Sequence, residues 1–187
     1  MSAQRGFTLW FTGLSGSGKT TIAGLVGPEL ERRGGLVEYL DGDVVRTHLS
    51  KGLGFSKEDR DTNIARIGWV ASRFTRAGVW TLVSAISPYA AARARAREMV
   101  EPFGPFIEVF VDTSVEECAR RDVKGLYAKA FAGEITEFTG VSDPYESPSD
   151  PDVHIRTELE GPEESAGRIL AALEEMGLLE LPVTTRA

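Results

Sequence analysis

The stretch Gly13-Leu14-Ser15-Gly16-Ser17-Gly18-Lys19-Thr20 fits the pattern G-x-x-x-x-G-K-[ST] at every fixed position, and the chemistry of that pattern is phosphate binding. Glycines let successive backbone N–H groups turn toward one anion, and a helix starting near the lysine adds its positive end. Lys19 has the reach for the β- and γ-phosphates of a nucleoside triphosphate, and the Thr20 hydroxyl suits Mg2+. A glycine turn with a chance lysine is the competing reading. The flanks argue against it, because the loop lies between an apolar β-rich run and a helical pattern, the context the motif requires.

A phosphate loop needs a strand to deliver it and a sheet to hold that strand. Phe7 to Thr12 supplies the strand, and further short apolar runs follow at Leu36 to Leu40, Val79 to Ser84 and Phe106 to Val111. Helical stretches separate them, which predicts an α/β three-layer P-loop fold with a parallel sheet covered on both faces. Within Lys57 to Arg76, the residues Ile64, Ile67, Val70, Ala71 and Phe74 recur at three- and four-residue spacing and make one apolar stripe. Ala90 to Arg97 reads as helix from its alanines and arginines. A last helix opens at Pro162 with Glu163 and Glu164 in its first turn, presents Ile169, Leu170, Leu173 and Met176 to the core, and ends at Gly177. Pro28 falls inside the helix after the phosphate loop and is expected to kink or shorten it.

Residues 1–187 are expected to form one domain with a lid at about 122–151. From Lys124 to Pro151 the chain is polar and rich in Gly and Pro, and it is long for a plain connection. Tyr127, Phe131, Phe138 and Tyr145 give it enough aromatic surface to be an ordered lid. Composition bounds the rest. With 21 Lys+Arg against 28 Asp+Glu the net charge is −7, which opposes broad nucleic-acid binding through phosphate contacts. The lone Cys118 excludes an intrachain disulfide and a multi-cysteine metal site and suits a reducing cytoplasm. Met1 to Gly6 lacks the basic start and apolar run of a secretory signal, and no apolar stretch approaches membrane-spanning length. No membrane and no nucleic acid are therefore expected as partners.

Among nucleotide-binding proteins the loop alone decides nothing. The run Phe106 to Val111 ends in Asp112-Thr113, not in the Asp-Glu pair of a motor ATPase, and there is no Asn-Lys-x-Asp base-reading motif of a GTPase. A short chain with a lid-like segment in its last third favours a small-molecule kinase.

Further blocks narrow the class. Phe11 to Thr21, then Leu40-Asp41-Gly42-Asp43 followed by Arg46, resemble the opening of the adenylylsulfate (APS) kinase family. Gly54-Phe55-Ser56-Lys57-Glu58-Asp59-Arg60 with Asn63 and Arg66-Ile67-Gly68, and Ser84 to Tyr89, are similar to its next blocks. Arg121 to Tyr127, Phe138-Thr139-Gly140 and Asp143-Pro144-Tyr145-Glu146 complete the resemblance, which runs from about residue 6 to 178. It implies transfer of the ATP γ-phosphate to the ribose 3′-hydroxyl of adenylyl sulfate, with Mg2+, in a cytoplasmic pathway of sulfate activation. It implies also a homodimer and association with an ATP sulfurylase.

The resemblance assigns Gly13, Leu14, Ser15, Gly16, Ser17, Gly18, Lys19, Thr20, Thr21 and Arg121 to ATP. Thr20 and Asp41 go to the metal. Asp41, Asp43, Arg46, Phe55, Arg60, Asn63, Ile86, Ser87, Lys124, Gly125, Leu126, Lys129, Phe138 and Thr139 go to the acceptor. Lys19, Asp41 and Ser87 carry the catalytic expectation. Asp41 is the first choice for accepting the hydroxyl proton or holding Mg2+ through water. Helix capping is the competing role for Asp41 and Asp43, more so for Asp43. Arg60 and Asn63 share one helical face, and a solvated charged face is their alternative. Phe55 and Phe138 are expected to sandwich the acceptor adenine, with core burial as the alternative. Arg121 is expected to stack on the adenine of ATP, unless it or Arg120 pairs with an acidic neighbour. Ser87 has no histidine in the matched motifs to activate it, so a positioning role is preferred to a phosphoserine intermediate. Ala90-Ala91-Ala92 departs from the family, where a polar residue is commoner, and leaves Arg93 as a weak acceptor contact. Two readings compete overall: a related kinase acting on another nucleotide, such as a nucleoside diphosphoramidate, and a nucleotide-binding domain without catalysis.

Overall fold

The computed structural model describes residues 5–122 and 124–180. Val123 of the Arg121 to Tyr127 block lies outside the described residues. Five parallel strands form one sheet in the order β2-β3-β1-β4-β5, with β1 at Phe7–Thr12, β2 at Val37–Asp41, β3 at Trp80–Ser84, β4 at Phe106–Asp112 and β5 at Val153–Arg156. The four anticipated strands shift by a residue at most. The fifth has no counterpart in the sequence reading. It is four residues long, too short for its alternation of buried Val153 and Ile155 to stand out, and it forms by pairing with Val109 to Asp112 of β4.

Strand β1 sits at the centre and is buried along its whole length. Its odd residues Phe7, Leu9 and Phe11 pack with Ile22, Val26 and Leu30 of α1 (Lys19–Arg32) and with Ile169 and Leu173 of α7 (Pro162–Glu175). Trp10 faces the other way, into a cluster with Ile64, Ile67 and Ala71 of α3 (Lys57–Arg76) and Ala96 and Val100 of α4 (Ala90–Val100). Period-2 alternation in one strand thus builds the two cores of a three-layer α/β fold.

Helix α3 has the bounds its periodicity predicts, with Ser56 capping by accepting from the Asp59 N–H at 3.2 Å. Two expectations are corrected. Helix α1 continues through Pro28 to Arg32 instead of ending early, because packing on β1 and α7 outweighs the one backbone hydrogen bond that proline removes. Met176 is exposed and is not part of the buried face of α7, because the helix proper closes at Glu175 and Gly177 then turns with φ +69°. The short helices α2 (Gly42–His48) and α5 (Val115–Arg121) follow β2 and β4, and α6 (Leu126–Phe131) lies in the segment expected to be a lid. No helix among the described residues is long and apolar enough to cross a membrane.

Candidate active site

The phosphate loop leaves β1 at Gly13, whose φ of +148° suits glycine. A Cβ there would lie 2.4 Å from the Val111 carbonyl oxygen and 2.9 Å from Ser17 Oγ, so close packing fixes the residue type as well. Lys19 starts α1 and folds its ammonium back under the loop, donating to the carbonyls of Gly13 at 2.9 Å and Leu14 at 2.6 Å. Burial of this ammonium lowers its pKa from 10.5 to about 8.

Thr20 Oγ1 donates to Asp41 Oδ2 at 2.8 Å, joining the first turn of α1 to the end of β2. Asp41 Oδ1 accepts the Asp43 N–H at 2.9 Å, so Asp41, not Asp43, caps α2. The Asp43 carboxylate is exposed and pairs with Lys124 at the start of the lid. Thr20 and Asp41 present two hard oxygens side by side, which suits Mg2+. No cluster of three His, Cys, Asp or Glu exists among the described residues.

The acceptor candidates converge around Arg60. This buried side chain donates from Nε to the Phe55 carbonyl at 2.7 Å and from its terminal nitrogen to the Glu137 carbonyl, next to Phe138. One guanidinium therefore ties together the two segments that carry the expected adenine sandwich. Phe55 is 53% exposed and is not a core residue. The Arg46 and Arg60 guanidiniums lie 4.5 and 5.5 Å from its ring centroid. Phe138 meets Tyr127 edge-to-face at 4.9 Å and leans on Leu14 and Cys118 at the phosphate loop. Asn63 and Thr139 are buried, and Asn63 Oδ1 and Thr139 Oγ1 are without a hydrogen-bond partner among the described residues. Unpaired buried polar atoms are rare and costly.

Other candidates fall elsewhere. The Arg121 guanidinium is held by Glu117 at 2.8 Å and by the Thr157 hydroxyl and carbonyl, each at 3.1 Å. Arg120 pairs with the same Glu117, whose carboxyl is pulled down to about 2 by the hydrogen bonds from the two arginines. Both arginines thus have an acidic neighbour, and Arg121 has Thr157 as well, a partner with no sign in the sequence. Lys129 is exposed on α6, with no ion-pair partner among the described residues. Gly125 turns into α6 with φ +65°, and Leu126 opens that helix. Arg93 is 4% exposed and engaged by Glu108 and by the Ser87 and Glu146 carbonyls. A cavity of about 500 Å3 lies between the end of β4 and the returning lid, lined by Asp112, Ser114, Asp143 and Tyr145 among others. Of the expected site residues only Leu14 borders it.

Parallel sheet order and a phosphate loop at the end of the central strand together define a P-loop NTPase-like α/β fold. The chain belongs to the adenylylsulphate kinase family, which residues 5–156 match. It is 55% identical to an adenylyl-sulfate kinase of Halothermothrix orenii over 97% of each chain. It is 46% identical to the APS kinase of Mycobacterium tuberculosis, solved in complex with AMPPNP and APS, with a TM-score of 0.88 over 91% of this chain and 99% of that one. A probable bifunctional SAT/APS kinase of Sorangium cellulosum is 55% identical over 92% of this chain, which spans only 29% of that protein.

Proposed function

We propose that the chain transfers the γ-phosphate of ATP to the 3′-hydroxyl of adenylyl sulfate, giving 3′-phosphoadenylyl sulfate and ADP, with the residues acting as follows. The observation that carries the reading is the Thr20–Asp41 hydrogen bond, which sets a carboxylate beside the phosphate loop. The bond between the acceptor 3′-oxygen and the γ-phosphorus forms as the bridge between the β- and γ-phosphates breaks toward ADP. The hydroxyl proton passes to Asp41, whose oxygens keep spare lone pairs beside those used for Thr20 and the Asp43 N–H. Lys19 turns from the Gly13 and Leu14 carbonyls to the β- and γ-phosphates, and the loop N–H groups hold the remaining charge. Bound at Thr20 and Asp41, Mg2+ supplies charge neutralisation on the transferring phosphate.

Arg46, Arg60 and Asn63 bind the acceptor's anhydride side, Phe55 and Phe138 stack its adenine, and Lys124 and Lys129 bring lid charge to the phosphates. Ser87 is only 1% exposed, with its Oγ accepting from Trp10 Nε1 at 3.0 Å and donating to the Ala85 carbonyl at 3.2 Å. An occupied hydroxyl of this kind supports a positioning role and not a nucleophile. The proposal extends to one kinase domain with residues 122–151 as its lid, to a cytoplasmic homodimer, and to association with an ATP sulfurylase. The joined SAT and APS kinase of Sorangium cellulosum supports the last. The test is a coupled ADP assay with adenylyl sulfate as acceptor, in the wild type and Lys19→Ala. Turnover that needs adenylyl sulfate and Lys19 is expected. ATP binding without turnover would favour a non-catalytic domain, and turnover with another nucleotide a different kinase.

A further inference from the structure

Ser87 has φ +43°, a left-handed conformation that is strained for a non-glycine residue. Such a residue persists only where its surroundings over-determine it. Here the surroundings include the far end of the lid. Tyr145 lies 2.9 Å from Thr12 Oγ1, and Thr12 spends its own hydroxyl proton on the Ile86 carbonyl at 2.7 Å. The direction of the chain is thereby fixed: Tyr145 donates to Thr12, and Thr12 donates to Ile86. Glu146 N–H donates to the Pro88 carbonyl at 2.8 Å, and Glu146 Oε2 accepts the Ala90 N–H at 2.7 Å, capping α4, which has no cap of its own. Arg93 closes the ring, donating to the Ser87 carbonyl at 2.8 Å and the Glu146 carbonyl at 2.7 Å while paired with Glu108.

We infer that Tyr145, acting through Thr12, is a positioning residue that holds the strained Ile86–Ser87 peptide in the shape the acceptor nucleotide meets. The inference rests on the proposed placement of the acceptor against Ile86 and Ser87. Tyr145 touches no reacting atom; its hydroxyl acts at one remove, and burial keeps the phenol protonated by raising its pKa. Without that hydrogen bond the Thr12 hydroxyl loses its only donor among the described residues and is free to rotate off the Ile86 carbonyl. The strained peptide then relaxes, and the acceptor must re-form it on binding.

The experiment compares Tyr145→Phe, Thr12→Val and the double variant with the wild type, measuring steady-state KM for adenylyl sulfate, kcat, and ATP binding by calorimetry. Each single variant is expected to raise KM for adenylyl sulfate roughly 3–10-fold, the reach of one neutral hydrogen bond. The double variant adds little beyond either single one, because both remove the same chain. ATP binding and kcat stay within about twofold, and Thr12→Ser restores the wild-type KM. An unchanged KM in Tyr145→Phe, additive losses in the double variant, or an equal loss of ATP affinity would each overturn the inference. If Tyr145→Phe fails to fold, Thr12→Val against Thr12→Ser reads the same chain. A wild type that does not turn over adenylyl sulfate would instead refute the proposed reaction.

Discussion

The phosphate loop takes its groups from the consecutive residues Gly13 to Thr20, whereas the proposed acceptor side draws on residues 41–63, 86–87, 124–129 and 138–146. The first is a local object. Its conformation is set by its own glycines, by Lys19 bonding back to Gly13 and Leu14, and by the helix it opens. The second exists only when distant carbonyls meet one side chain, as at Arg60, or when a lid residue reaches a strand end, as at Tyr145. The two are stitched together: the Tyr127 hydroxyl donates to the Ser15 carbonyl at 2.9 Å, and Leu14 packs with Tyr127 and Phe138. A local site resists distant change, while an assembled one can lose affinity without losing its chemistry.

Variants should therefore split by side. The largest effect belongs to Lys19→Ala, which removes a preorganised charge from the transferring phosphate. It should lower kcat roughly 100–1,000-fold in the coupled ADP assay. Next comes Arg60→Ala, which strips charge-assisted bonds from the Phe55 and Glu137 carbonyls. A rise of about 10–100-fold in KM for adenylyl sulfate is expected, with calorimetric ATP affinity preserved. Equal losses for both nucleotides would break the distinction. Phe55→Ala removes one stacking face and should raise the same KM by roughly tenfold.

The pH dependence of ATP binding sharpens the donor side. The Lys19 pKa stands near 8 in the free protein because burial disfavours its charge, and a bound triphosphate favours the charged form and raises it. Binding then takes up a proton above pH 8, so affinity should fall as pH rises through that value, by up to roughly tenfold between pH 7 and 9. Flat affinity across that range would contradict the buried ammonium. The smallest effect is Ser87→Ala, expected to keep turnover within about tenfold because one hydrogen bond is lost and no nucleophile. Complete loss in a folded variant would revive the covalent route.

The net charge of −7 opposes nucleic-acid binding yet says nothing against nucleotides. Three of the five lysines, Lys19, Lys124 and Lys129, fall in the phosphate loop or in the segment proposed as the lid, so positive charge is local where the average is negative.

Sequence alone determined what depends on near neighbours. Glycine spacing wrote the phosphate loop, period-3.6 apolar residues wrote α3 to its ends, and the apolar run Phe7 to Thr12 wrote β1 as a buried strand. These are legible because the forces act within a few residues. Resemblance supplied the acceptor residues, and the fold decided how they meet. The tertiary structure alone decided that Asp41 caps α2 while accepting from Thr20, that Arg121 goes to Thr157 and Glu117, and that Arg93 is a buried brace. It alone made β5, which is a strand because β4 pairs with it. In each case a polar group was satisfied by a partner far along the chain. Burial forces that pairing and spacing cannot foretell it.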